Sequence, residues 1–196
     1  KTQDLEYYQG NFQVKGTRVG IGIFDLCSRQ SGNSISVKRK KELTGRSWPN
    51  GCHVAEVEID AETGEVRLDR YVSVDDVGNT VNPMIVHGQV QGGIASGLGQ
   101  AVLERTEYDA SGQLLSGSYM DYALPRADDM PSLSGSLFEK APCLTNPLGA
   151  KGTGEIGAVA GPPAIVHAVI DALVEKGITQ VDMPLQPQKI WECLNR

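Results

Sequence analysis

An α+β fold follows from three features of the sequence. First, His53, Ala55, Val57 and Ile59 alternate with Val54, Glu56 and Glu58, a period of two that marks a half-buried strand. Ala61-Glu62-Thr63-Gly64 then supplies a turn, and Val66, Leu68, Tyr71, Val72 and Val74 form a returning strand, so the stretch reads as a β-hairpin. Second, Ile165, Ala168, Val169, Ala172 and Leu173 fall on one stripe of a helix that Pro162-Pro163 is expected to open. Third, hairpins and helices are mixed along the chain rather than alternating as βαβ units, which argues against a doubly wound parallel sheet.

The remaining elements follow in order. Leu5 to Lys15 has short strand-like pieces around Gly10, and Val19 to Ser28 suggests a short helix weakened by Gly20 and Gly22. Residues 30–50 are polar, with turn signals at Ser31-Gly32-Asn33 and Trp48-Pro49-Asn50-Gly51. After the hairpin, Asp75 to Pro83 is a polar loop, and a helix is expected from about Met84 to Arg105. A second hairpin turns at Asp109-Ala110-Ser111-Gly112, residues 125–132 form a Pro-rich loop, Leu133 to Lys140 is a strand, and 141–154 is a Gly/Pro loop. Gly177 ends the Pro162 helix, Ile178 to Val181 is expected as a strand, and a last helix covers about Gln188 to Leu194.

Bulk properties narrow the function classes. A chain of 196 residues with 40% hydrophobic content can bury a sizeable core. Its net charge of −6 gives no basic field to attract nucleic acid or anionic lipid. The one basic run, Lys38-Arg39-Lys40-Lys41, is short, has no interleaved aromatics and reads as a solvated loop. Cys27, Cys52, Cys143 and Cys193 lie far apart, without zinc or iron–sulfur spacing, as expected for reduced thiols in a cytoplasmic protein. No run of about 18 apolar residues and no signal-peptide pattern is apparent, so no membrane association is expected. The chain begins at Lys1, as a fragment or a processed product would.

Two stretches call for explanation. In His87-Gly-Gln-Val-Gln-Gly-Gly-Ile-Ala-Ser-Gly-Leu-Gly-Gln100, five glycines sit where a helix is expected. Each costs up to about 1 kcal/mol relative to alanine in a helix interior. Close helix packing, with Gly88 and Gly92 or Gly93 and Gly97 on a face, would offset that. So would a ligand approaching bare backbone beside the amides of Gln89 and Gln91. In Asn146-Pro-Leu-Gly-Ala-Lys-Gly-Thr-Gly-Glu-Ile-Gly157, four glycines surround Glu155. Local physics favours a carboxylate interacting with a helix N-terminus, and a general base delivered into a cleft is the alternative. Gly152-Thr-Gly-Glu-Ile-Gly157 also matches the dinucleotide-binding G-x-G-x-x-G pattern. That reading is rejected because no strand precedes it, Pro162-Pro163 is expected to break the following helix, and the acidic residue, Asp182, comes too late.

Taken in order, several segments resemble the molybdenum hydroxylases, the group of xanthine dehydrogenase, aldehyde oxidase and carbon monoxide dehydrogenase. They are Gly51-Cys-His-Val-Ala-Glu-Val-Glu-Ile-Asp-Ala-Glu-Thr-Gly64, Tyr71-Val-Ser-Val-Asp-Asp-Val-Gly-Asn-Thr-Val-Asn-Pro83, His87-Gly-Gln-Val-Gln-Gly-Gly93, Met120-Asp-Tyr-Ala-Leu-Pro125, Asn146 to Glu155, and Asp182-Met-Pro184. The resemblance spans roughly residues 44 to 195, the first 40 being less distinctive. It implies that residues 1–196 are the C-terminal part of a molybdenum-cofactor-binding domain. It assigns Glu155 as the active-site base, Gln89 to the molybdopterin cofactor, and Lys151, Gly152, Thr153 and Gly154 to the cofactor loop that presents Glu155. The implied reaction is hydroxylation of a C–H centre of a small-molecule substrate with oxygen from water. Electrons would leave through iron–sulfur clusters to a flavin (FAD) on partner domains or subunits. The implied cofactor is molybdenum–molybdopterin, with a cytosine dinucleotide form within the family's range. The metal is held by the pterin, so no protein metal ligand is expected. The family's cofactor subunit is several times longer than this chain, so the resemblance also implies that one wall of the site is present and that the chain alone holds no cofactor stably. The competing reading is a non-catalytic binding or assembly piece with the same fold.

His53 reads as a core-edge or surface residue, Asp75-Asp76 as a solvated turn, Asp121 and Arg126 as loop scaffolding, and His87 as a residue near the cofactor segment with no assigned role.

Overall fold

The computed structural model describes residues 1–40, 42 and 45–195. Lys41 of the basic run, Leu43, Thr44 (where the stretch of resemblance begins) and Arg196 lie outside the described residues. The chain forms two compact units, Lys1–Glu42 and Leu43–Arg196.

In the first unit, β1 (Leu5–Tyr8), β2 (Asn11–Val14) and β3 (Gly20–Gly22) make an antiparallel sheet in that order. The glycines that weakened a helix at Val19 are accounted for: Gly20 and Gly22 belong to the strand, and α1 (Ile23–Ser28) starts after them.

The second unit is built on the expected hairpin. β4 (Asn50–Ile59) pairs antiparallel with β5 (Val66–Asp76), and β6 (Leu133–Leu137) adds parallel to the other edge of β5. On β4 the observed burial follows the alternation, with His53, Ala55, Val57 and Ile59 turned inward. On β5 it does not. Val57 pairs with Leu68 but Glu56 pairs with Arg70, so β5 carries one extra residue there, a β-bulge. Because the side-chain period of a strand is two, one extra residue inverts every position beyond it. Tyr71, Ser73 and Asp75 therefore point into the core, while Val72 and Val74 face outward.

Two helices cover the inner face. α2 (Pro83–Leu98) opens with the Asn82 side chain accepting a hydrogen bond from the Ile85 N–H at 3.2 Å and with proline at its first turn. It runs on through a wider turn, Gly99–Leu103. α3 is Ile156–Leu173, so Pro162 and Pro163 lie inside the helix and do not open it. Each removes one backbone hydrogen bond to the preceding turn. The ring of Pro162 sits against Gly97 of α2, where a β-carbon would come within 2.9 Å of its Cδ. With its short extension, Ile156–Lys176 is long and apolar enough to cross a membrane, a length hidden from the sequence while the helix was expected to start at Pro162. Here its stripe of Ile165, Val169 and Leu173 is buried with Leu68, Tyr71, Val90, Ile94 and Leu98. α4 (Pro187–Leu194) buries Ile190 in the same core.

Two other expectations are corrected. The stretch Ile178 to Val181 is irregular rather than a strand, although Val181 is buried in the core. The second hairpin reduces to one isolated bridge, Tyr108 with Leu114, around a turn held by the Asp109 carboxylate.

Candidate functional site

The crossing of α2 and α3 sets the site. A β-carbon on Gly93 would fall 2.8 Å from the Ala158 nitrogen and 2.9 Å from Gly157 Cα, and one on Gly97 would fall 3.0 Å from Gly161 Cα. Of the two glycine pairs considered from the sequence, Gly93 and Gly97 are thus explained by packing. Gly88 and Gly92 have nothing within 4 Å and are exposed. One turn before Gly93, α2 carries Gln89. One turn before Gly157, the chain carries Gly154. The crossing brings these together: Gln89 Nε2 lies 3.7 Å from the point a β-carbon on Gly154 would occupy.

The loop preceding α3 is fastened to the end of β5. The Lys151 ammonium pairs with Asp76 Oδ2 at 2.5 Å, both side chains being about nine-tenths buried. The Lys151 N–H donates to the Val77 carbonyl at 2.7 Å, and the Asn79 N–H and side-chain amide donate to the Gly149 and Leu148 carbonyls, each at 2.9 Å. Asn146 closes the loop on itself by donating to the Ala150 carbonyl at 2.9 Å. Gly78 and Gly149 both have positive φ, 66° and 68°, and Gly78 is so close to the Gly149 carbonyl that no side chain fits between them. Burial works against the charged form of the Asp76 carboxyl. The Lys151 ammonium, the Gly78 N–H and the Asn50 amide outweigh it and hold the group below its usual range.

Past this anchor the chain is open. Gly152, Gly154 and Glu155 are exposed, Thr153 is half-buried, and Gly152 has nothing within 4 Å of where a side chain would start. Glu155 is the N-cap residue of α3, yet its carboxylate makes no capping hydrogen bond; only its carbonyl is used, accepting from the Val159 N–H at 2.9 Å. Of the residues singled out in the sequence, the helix crossing brings Gln89 and Gly154 together, and Gly152, Thr153 and Glu155 are neighbours of Gly154 along the chain. The side chain of Lys151 is turned away into its pair with Asp76. Asp76, Asn79 and Asn146, which fix the loop, were not singled out as site residues. Their signal in the sequence was the short polar residues flanking Gly78 and Gly149.

A second polar group lies inside the core. His53 Nδ1 is 2.9 Å from the Tyr71 hydroxyl and His53 Nε2 is 2.9 Å from Asp75 Oδ1, in a fully buried Tyr–His–Asp chain. Burial first, and the Asp75 charge second, push the Tyr71 hydroxyl's pKa far up. The expectation for Asp75-Asp76 as a solvated turn is therefore corrected, and of the two places expected for His53 the core edge holds and the surface does not, its side chain being buried. The bulge in β5 turns Asp75 inward, and the aspartate is paired there.

Comparison with known proteins identifies the family. The family model of the molybdopterin cofactor-binding domain matches residues 1–131, including the first 40. The gamma subunit of the 6-hydroxypseudooxynicotine dehydrogenase complex of Paenarthrobacter nicotinovorans is 32% identical over 96% of this chain and 25% of its own length. The carbon monoxide dehydrogenase large chain of Afipia carboxidovorans is 34% identical over 96% of this chain and 24% of its own length. In the crystal structure of quinoline 2-oxidoreductase from Pseudomonas putida 86, the matching region covers all of this chain and 26% of that one, at 31% identity and a TM-score of 0.86. The chain thus spans about a quarter of the length of these relatives. The chain belongs to the molybdopterin cofactor-binding domain family of the molybdenum hydroxylases.

Proposed function

We propose that this chain forms one wall of the active site of a molybdenum hydroxylase, in the C-terminal part of its cofactor-binding subunit, with Glu155 as the base. The observation that carries the reading is the convergence of the Gln89 amide with the glycine backbone that leads into Glu155.

The residues present suit a molybdopterin. The side-chain-free backbone at Gly152 and Gly154 leaves room for a flat heterocycle, and the exposed Gln89 amide beside it can both donate to and accept from its ring edge. When bound, the cofactor supplies the two-electron oxidation and an electropositive centre that makes the oxygen of water easier to deprotonate. The chain's own contribution is proton transfer and placement. A carboxylate oxygen of Glu155 takes the proton from the attacking oxygen, free to do so because helix capping does not occupy it. The Lys151–Asp76 pair holds the loop in register, and Gln89 orients the pterin. The balance is C–H plus water to C–OH, two protons and two electrons.

The relatives' names support a small-molecule substrate: an N-heterocycle, an aldehyde, or carbon monoxide, which has no C–H bond and would balance as CO plus water to CO2, two protons and two electrons. Words such as subunit and large chain support partner subunits, to which we assign the iron–sulfur clusters and FAD. A cytosine dinucleotide form of the cofactor and a cytoplasmic location belong to the same proposal, the second supported by four free thiols. The test is turnover by the full-length protein carrying Glu155→Gln, with molybdenum content measured alongside. Loss of turnover at unchanged metal content is expected, and unchanged turnover would refute the role.

A further inference from the structure

We infer that a single ordered water molecule binds inside the core between β5, β6 and α2, at a site formed by Ser73, Asp75 and His87 around the missing side chain of Gly135. Three observations on different elements point to it. The Ser73 hydroxyl is buried, the residue being 1% exposed, and has no hydrogen-bond partner among the described residues. Such a group costs about 1–3 kcal/mol if it stays unsatisfied. Gly135 stands opposite Ser73 in the register of β5 and β6. A β-carbon there would lie 3.4 Å from Ser73 Oγ and 3.7 Å from His87 Nδ1, so polar atoms border the space that the glycine leaves. That space belongs to a small cavity of about 10 Å³ whose polar lining includes Ser73, Asp75, His87 and Gln91. On that measure a water needs roughly 10–15 Å³ and two to four polar partners.

A glycine in the middle of a strand weakens it and often marks a close approach. Here Gly135 leaves room for a water that accepts from or donates to Ser73 and reaches Asp75 and His87. The Tyr71–His53–Asp75 chain is thereby extended to α2, two residues from Gln89. The water is a clamp between sheet and helix, and it stands independently of the role assigned to Glu155.

The experiment is a crystal structure of the full-length protein, at a resolution that shows ordered water, for the wild type, Gly135→Ala and Ser73→Ala. The wild type should show one density peak about 2.7–2.8 Å from Ser73 Oγ, and the methyl group of Gly135→Ala should displace it. A dry cavity, a protein acceptor on Ser73, or an unchanged peak in Gly135→Ala overturns the proposal. Thermal unfolding gives a second readout. If the water is present, Ser73→Ala loses a made hydrogen bond and Tm falls. If the site is dry, the substitution removes an unsatisfied hydroxyl, and an equal or higher Tm overturns the proposal.

Discussion

Lys151 and Asp76, 75 positions apart in sequence, form an ion pair with Nζ 2.5 Å from Oδ2, and that pair ties the glycine loop to the end of the central strand. The lowered pKa of Asp76 makes the pair pH-sensitive in a definite direction. A group whose pKa is lower in the folded state contributes stability above its unfolded value, about 3.9, and loses it as pH falls through the folded value. Asp76→Asn should destabilise the chain at pH 7 by about 3 kcal/mol, because a nearly buried ammonium is left unpaired. Its stability should also fall less steeply below pH ~4 than that of the wild type. Urea unfolding across that range measures both, and an unchanged acid profile would contradict the account.

The glycines of α2 divide into two kinds with opposite expected effects. Gly93→Ala puts a methyl group 2.8–2.9 Å from the backbone of α3 and should cost roughly 1–3 kcal/mol. Gly88→Ala and Gly92→Ala meet open space and should each stabilise the chain by up to about 1 kcal/mol. Denaturation midpoints of the three variants check the contrast.

Gly154→Ala separates folding from cofactor binding. The added methyl would make only an ordinary contact with Gln89, at 3.7 Å, so stability should move by no more than about 0.5 kcal/mol. The same methyl would occupy the surface to which the pterin is assigned, so the molybdenum content of the full-length protein should drop. Full metal loading would count against that assignment.

The chain by itself should contain no stoichiometric molybdenum, since Gln89, Gly152, Gly154 and Glu155 lie on an open face with no opposing wall among the described residues. Metal analysis of the purified chain tests this, and one molybdenum per chain would contradict it.

The parts of this fold that follow from local rules were legible in the sequence. The alternation of β4, the start of α2 (expected at about Met84, observed at Pro83) and the stripe of α3 are each set by neighbours within a turn or a strand. The bulge at Asp69-Arg70 was not read from the sequence: Tyr71 is out of phase with Val66 and Leu68, but Val72 and Val74 continue their phase, so spacing alone did not decide which set faces the core. The bulge alone converts Ser73 and Asp75 from surface to core positions. The start of α3 was missed for a tertiary reason. Prolines inside a helix are costly, and these sit where Gly97 of α2 makes space for the ring of Pro162. At the candidate site, the glycine loop and Gln89 stood out as composition without a local explanation. The anchors Asp76 and Asn79 depend on pairings across the fold that spacing does not encode, whereas Asn146 acts within its own loop.

The most direct measurement of the central claim is the rate at which substrate reduces the full-length protein in a single turnover, wild type against Glu155→Gln, at equal molybdenum content. A base in this position predicts a fall of about 10²-fold or more, with the folded state and metal loading unchanged. Equal rates in the two proteins would show that the carboxylate of Glu155 takes no part in the chemistry.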